Sequence, residues 1–155
     1  MGTTPHFWAN AFEQNSEFGG LGAPSDWIWR QNDDEVIFKG APGENTTLAI
    51  VATNAKLTKP EAHRLAIMAQ TGLSRALHPV HTPLDGDIVF AASTGEIPLD
   101  DPIVDLTYLG ASASEALARA VARGVYEATP APEYWLGPPA YATRFTDTID
   151  RSSAS

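Results

Sequence analysis

Thr46, Asp85 and Asp87 are the residues of this 155-residue chain whose types and spacing could do chemistry. A threonine hydroxyl is a weak nucleophile until a base takes its proton. A freed α-amine on the same residue can take it, because that amine titrates at about 7.7–8.0. Thr46 follows Asn45 where a Gly- and Pro-marked stretch meets the apolar run Leu48-Ala49-Ile50-Val51-Ala52. Cutting the Asn45–Thr46 bond there would expose the Thr46 amine. Asp85 and Asp87 flank Gly86 just before a second apolar run, Ile88-Val89-Phe90-Ala91-Ala92, so both carboxylates can point at one site. Taken singly, each motif is ordinary: Asn-Thr entering a strand, and Asp-Gly-Asp as a turn.

The histidines offer a competing arrangement. His78-x-x-His81 with Asp85 and Asp87 has the donor types of a zinc or iron site, and His63 lies upstream. These positions surround Pro79 and Pro83 in a loop, without the fixed helical spacing of His-Glu-x-x-His. Histidines that cap a helix and bond within the loop are the simpler reading, so no metal and no cofactor are expected. The loop from Gly40 to Gly43 lacks the Gly-x-x-x-x-Gly-Lys pattern of a phosphate cradle. The absence of cysteine removes disulfides, thiolate metal sites and thiol nucleophiles. A net charge of −9 argues against nucleic acid and anionic membranes as partners. The first residues have neither a basic n-region nor an apolar h-region, and no apolar run has the length of a membrane span, so a cytoplasmic protein is expected.

These groups need elements to hold them. Thr47 to Thr53 is a β-branched and small-apolar run, the pattern of a strand buried on both faces. Thr58-Lys59-Pro60-Glu61 is a capping box opening a helix. Its apolar face would carry Ala62, Leu65, Ala66, Ala69, Leu73, Ala76 and Leu77, and Pro79 should end it near His78. A loop to Asp87 then leads into a second strand, Ile88 to Ala92. The acidic, Pro-containing stretch Ile97 to Asp105 reads as a surface connection. Ser112-Ala113-Ser114-Glu115 reads as a second capping box, with a helix to about Glu127. That helix would bury Ala113, Ala116, Leu117, Ala120, Val121, Gly124 and Val125, and leave Glu115, Arg119, Arg123 and Glu127 solvated.

The expected organisation is an irregular leader (1–45), a strand-helix-strand-helix unit (46–128) and a Pro-rich tail (129–155). The leader holds three of the four tryptophans and a short edge strand at Glu35–Lys39. The class is α/β. Parallel strands joined through the helix would bring Thr46 and Asp85/Asp87 to the same end of a sheet. Two strands make too small a sheet to stand alone, so this chain is expected to lend its strands to a larger sheet, built with another polypeptide or a missing segment.

Three separated stretches resemble the self-cleaving L-aminopeptidase/D-esterase family, which includes β-peptidyl aminopeptidases and nylon-oligomer hydrolases. They are Asn45 to Asn54, His81-Thr82-Pro83-Leu84-Asp85-Gly86-Asp87-Ile88-Val89-Phe90, and Ala120 to Ala128. The leader segment from Phe7-Trp8-Ala9 through Glu17-Phe18-Gly19-Gly20-Leu21-Gly22 is also similar to the stretch before the family's cleavage point. The resemblance implies an αββα sandwich of the N-terminal-nucleophile-hydrolase type and a precursor cut between Asn45 and Thr46. The two pieces would stay associated, with Thr46 as the nucleophile for both self-cleavage and hydrolysis. Asp85 and Asp87 match the paired acidic positions of the nylon-hydrolase branch, which threonine at position 46 also favours. The implied substrates are small peptides or amides, and the implied assembly is a homo-oligomer, typically a tetramer. Family precursors carry a long N-terminal region with groups that bind the substrate and the oxyanion. This chain starts 45 residues before the expected cut, so that region is expected to be a missing partner. A catalytically silent fragment acting as an assembly subunit is the alternative expectation.

Overall fold

The computed structural model describes residues 4–24, 46–83, 85–130, 132 and 139–146. The chain divides into two units, residues 29–118 and residues 1–28 with 119–155. The edge strand expected at Glu35–Lys39 lies outside the described residues.

The 29–118 unit is a mixed α/β arrangement around a two-stranded sheet. Strand β1 (Leu48–Ala55) and strand β2 (Ile88–Ile97) run parallel, with helix α1 (Lys59–Gln70) in the connection between them. Leu48 pairs with Ile88 and Ile50 with Phe90, so the offset is constant from residue 48 to 53 and shifts before Ala55. The expected capping box is present at α1: Thr58 accepts from the Glu61 amide while the Glu61 carboxylate accepts from the Thr58 amide. The helix packs on the sheet and buries Leu65 and Ala69. Each large side chain buried in this way contributes about 1.5–3 kcal/mol.

Helix α1 stops at Gln70, earlier than the Pro79 rule suggested. The Thr71 amide bonds to Met68 and the Gly72 amide to Ala69, so the last turn tightens. A 3-10 turn, Leu73–Arg75, follows and buries Leu73. Gly72 needs its missing side chain, because a Cβ there would strike the Ser114 carbonyl. Thr71 Oγ1 and Ser114 Oγ hydrogen-bond at 2.9 Å, satisfying the buried Ser114 hydroxyl.

Helix α2 spans Pro102–Tyr126, eleven residues longer at its start than the Ser112 box implied. Asp101 is the true cap: its Oδ1 accepts from the amides of Ile103 and Val104, each at 3.1 Å. Pro102 fills the first helical position, and Asp105 reaches back to the amides of Asp100 and Asp101. The acidic, Pro-containing stretch is therefore a helix start, and Ser112 sits exposed in mid-helix. The buried line is also rotated from the one expected. Gly110, Ser114, Leu117, Ala118 and Ala122 are buried, whereas Ala116, Ala120, Gly124 and Val125 are exposed.

The sheet is not buried on both faces. Leu48 and Ile50 on β1, and Ile88 and Phe90 on β2, are exposed at 72%, 68%, 41% and 55%. Register places these four side by side as one uncovered apolar face.

The other unit gathers the leader against the end of α2 and the tail. Phe7 lies 5.2 Å from Phe18 and 5.0 Å from Tyr141, and Tyr141 lies 5.4 Å from Tyr126, measured between ring centres. Edge-to-face and offset ring pairs add about 0.5–1.5 kcal/mol each beyond their buried area. Glu13 Oε1 accepts from the amides of Phe18 and Gly20, and the Tyr141 hydroxyl donates to the Pro5 carbonyl at 2.8 Å. Arg119, expected in solvent, instead forms a two-pronged pair with Glu17, with Nη2 3.0 Å from Oε2. That hydrogen bond holds the Glu17 carboxyl below its ordinary value of 4.5.

Candidate active site

The parallel register positions the candidate residues. Counting back two places from the Leu48–Ile88 pair sets Thr46 beside Gly86, at the entry end of both strands. The Ile88 amide donates to the Thr47 carbonyl at 2.9 Å, extending the ladder past the ends of the strands. Thr46 is solvent-exposed, and its hydroxyl rests over Gly86. A Cβ at position 86 would lie 2.5 Å from Thr46 Oγ1, so any side chain there would displace the hydroxyl. Glycine between the two aspartates is thus the condition for the hydroxyl to sit where it does.

The two aspartates are held differently. Asp87 is nearly buried, with 4% of its side chain exposed. Its Oδ1 accepts from the Thr47 amide at 2.9 Å, linking the second strand's entry to the residue after Thr46. Its Oδ2 lies 3.3 Å from Nδ1 of His81, which is about one-third exposed. Asp85 is braced within its own loop: Oδ2 accepts from the Thr82 amide at 2.8 Å, and its amide donates to the Thr82 carbonyl at 3.0 Å. Thr46, Gly86 and Asp87 therefore come together, with Asp85 one residue before Gly86 and braced by Thr82.

Other sequence candidates fall elsewhere. Asn45 lies outside the described residues. His63 is exposed on α1, and His78 is exposed in the loop beyond it. Among the described residues, no three side chains of His, Asp or Glu converge to hold a metal ion. Nor is any described helix long and apolar enough to cross a membrane. The contact of His81 with Asp87 was not read from the sequence. His-x-x-x-x-x-Asp around a proline loop was the only signal, and bonding within the loop was read without a partner named.

Comparison with known proteins gives the site its context. An uncharacterized aminopeptidase of Mycobacterium tuberculosis is 40% identical over 111 residues, covering 65% of this chain and 31% of that protein. The 6-aminohexanoate-oligomer endohydrolase of Paenarthrobacter ureafaciens is 35% identical over 85 residues, covering 50% of this chain and 24% of that protein. A putative NylC-analogous protein of an Agromyces strain is also 35% identical over 85 residues, with 28% of its length covered. The chain thus spans less than a third of the length of these relatives. Residues 7–134 match peptidase family S58, and on that match the chain belongs to the family.

Proposed function

We propose that this chain carries the catalytic C-terminal part of a self-processing amide hydrolase, with Thr46 as its nucleophile. The observation that supports the reading most is the Thr46 hydroxyl resting on Gly86, between Asp85 and the nearly buried Asp87. In the precursor, Thr46 Oγ attacks the Asn45 carbonyl carbon and the Asn45–Thr46 C–N bond breaks. The nitrogen takes up a proton, leaving an ester that water hydrolyses to free residues 1–45. The new α-amine then takes the proton from Thr46 Oγ, which attacks a substrate amide. The substrate's amine leaves with that proton, and water releases the acyl group. Asp85 and Asp87 orient the hydroxyl and the ammonium.

Small peptides and amides are the substrate class, supported by the aminopeptidase and oligomer-hydrolase names of the relatives. Oxyanion donors and substrate contacts come from a further polypeptide region like the one that makes the relatives longer. A second sheet from that region would cover Leu48, Ile50, Ile88 and Phe90, completing an αββα sandwich. Intact-mass measurement of the chain over long incubation tests the cut. Release of residues 1–45 is expected from the wild type and not from Thr46→Ala. Identical, uncut masses for both would refute self-processing by this chain alone.

A further inference from the structure

We infer that His81 is a positioning residue, holding the Asp87 carboxylate so that its other oxygen grips the strand that presents Thr46. Three observations converge on it. His81 Nδ1 lies 3.3 Å from Asp87 Oδ2, and Asp87 Oδ1 accepts from the Thr47 amide at 2.9 Å. His81 also adopts φ +57°, a left-handed conformation uncommon for residues other than glycine and better tolerated by Asn, Asp and His than by most side chains. A nearly buried carboxylate with one oxygen on a backbone amide must have its second oxygen met as well, or it turns away. The His81 ring lies within ion-pair reach of that second oxygen. The chain of contacts runs His81, Asp87, Thr47, and so to the residue beside the proposed nucleophile. Asp85, braced by Thr82 three residues earlier, has no need of the same support.

The catalytic consequence rests on the reading of Thr46 as nucleophile, but the positioning role does not. Two substitutions separate backbone from side chain. His81→Gly keeps the left-handed angle and loses the donor. His81→Asn tolerates the angle and keeps an N–H donor near the place of Nδ1. Amide hydrogen exchange is read in the full chain carrying Thr46→Ala, which keeps the 45–46 bond intact. His81→Gly should speed exchange of the Thr47 amide by about tenfold, as expected for losing one charge-assisted hold, while the Ile88 amide is unchanged. His81→Asn should restore Thr47 to within about threefold of the parent. Unchanged Thr47 exchange in His81→Gly overturns the inference. So does equal acceleration at Thr47 and Ile88, or an asparagine variant no better than glycine. In the chain with native Thr46, Asn45–Thr46 cleavage should slow about tenfold in His81→Gly and recover in His81→Asn. A cleavage rate unaltered by His81→Gly also overturns the inference. A parent chain that never cleaves refutes the proposed function instead, and the exchange measurement still decides the role of His81.

Discussion

Gly86 shows how narrowly the position of one hydroxyl is set. Its missing Cβ is the space into which Thr46 Oγ1 fits, so Gly86→Ala should push the hydroxyl aside without disturbing either strand. A displacement near 1 Å of a reacting atom costs about 100-fold in rate. Self-cleavage of Gly86→Ala should therefore fall by about that factor while its circular dichroism and melting stay those of the parent. Asp87→Ala differs in kind, because it strands the Thr47 amide and the His81 ring together. It should cost about 1 kcal/mol in urea unfolding, the usual net worth of one part-buried hydrogen bond. At this scale the sequence showed that Thr46 and the two aspartates each precede an apolar run, and parallel pairing sets them at the same end of the sheet. What it could not show was that the glycine between the aspartates serves the threonine 40 positions earlier, because that contact depends on register.

Helix ends are where local signals succeeded and failed side by side. The box at Thr58 formed as read because both of its bonds are made within four residues. The box at Ser112 did not, because Asp101 and Pro102 had already started the helix eleven residues upstream. Asp101→Ala should accordingly destabilise the chain by about 1 kcal/mol. Ser112→Ala should be neutral or stabilising by a few tenths of a kcal/mol, since alanine is the better residue in a helix interior. Paired denaturant melts compare the two directly. The buried face of α2 was illegible for another reason. Small residues surround that helix, so periodicity selects no side. The choice is made by partners distant in sequence, Gly72 and Thr71 at one level and Glu17 at another.

At the scale of the molecule, acid should loosen the unit that joins leader, helix end and tail. Glu17 titrates below its ordinary value in the fold, chiefly through its hydrogen bond to Arg119. Its contribution is therefore complete above about pH 4.5 and is lost as the pH falls through the lowered value. The urea midpoint should drop across that window, and Glu17→Gln should flatten the drop. The uncovered sheet face gives a second expectation. Ile50→Ser with Phe90→Ser should change the chain's own stability little, within about 0.5 kcal/mol, because both side chains are already exposed. The same pair should abolish assembly with any sheet that covers the face, read by light scattering of the mixed polypeptides. The apolar runs were plain in sequence, and so was the inference that two strands need company. Full burial of the strands was not met among the described residues, because an apolar run does not reveal whether anything covers it.

The hydrogen bond from Tyr141 to the Pro5 carbonyl has a consequence for connectivity. It sets Pro5 against Tyr141, 136 positions apart in sequence. A short linker between those two positions could therefore close the chain, and the ring so formed could be opened between Asn45 and Thr46. Such a circular permutant would start at Thr46 once its initiator methionine is removed, presenting the α-amine from synthesis onward. Hydrolysis could then be assayed with no maturation step before it.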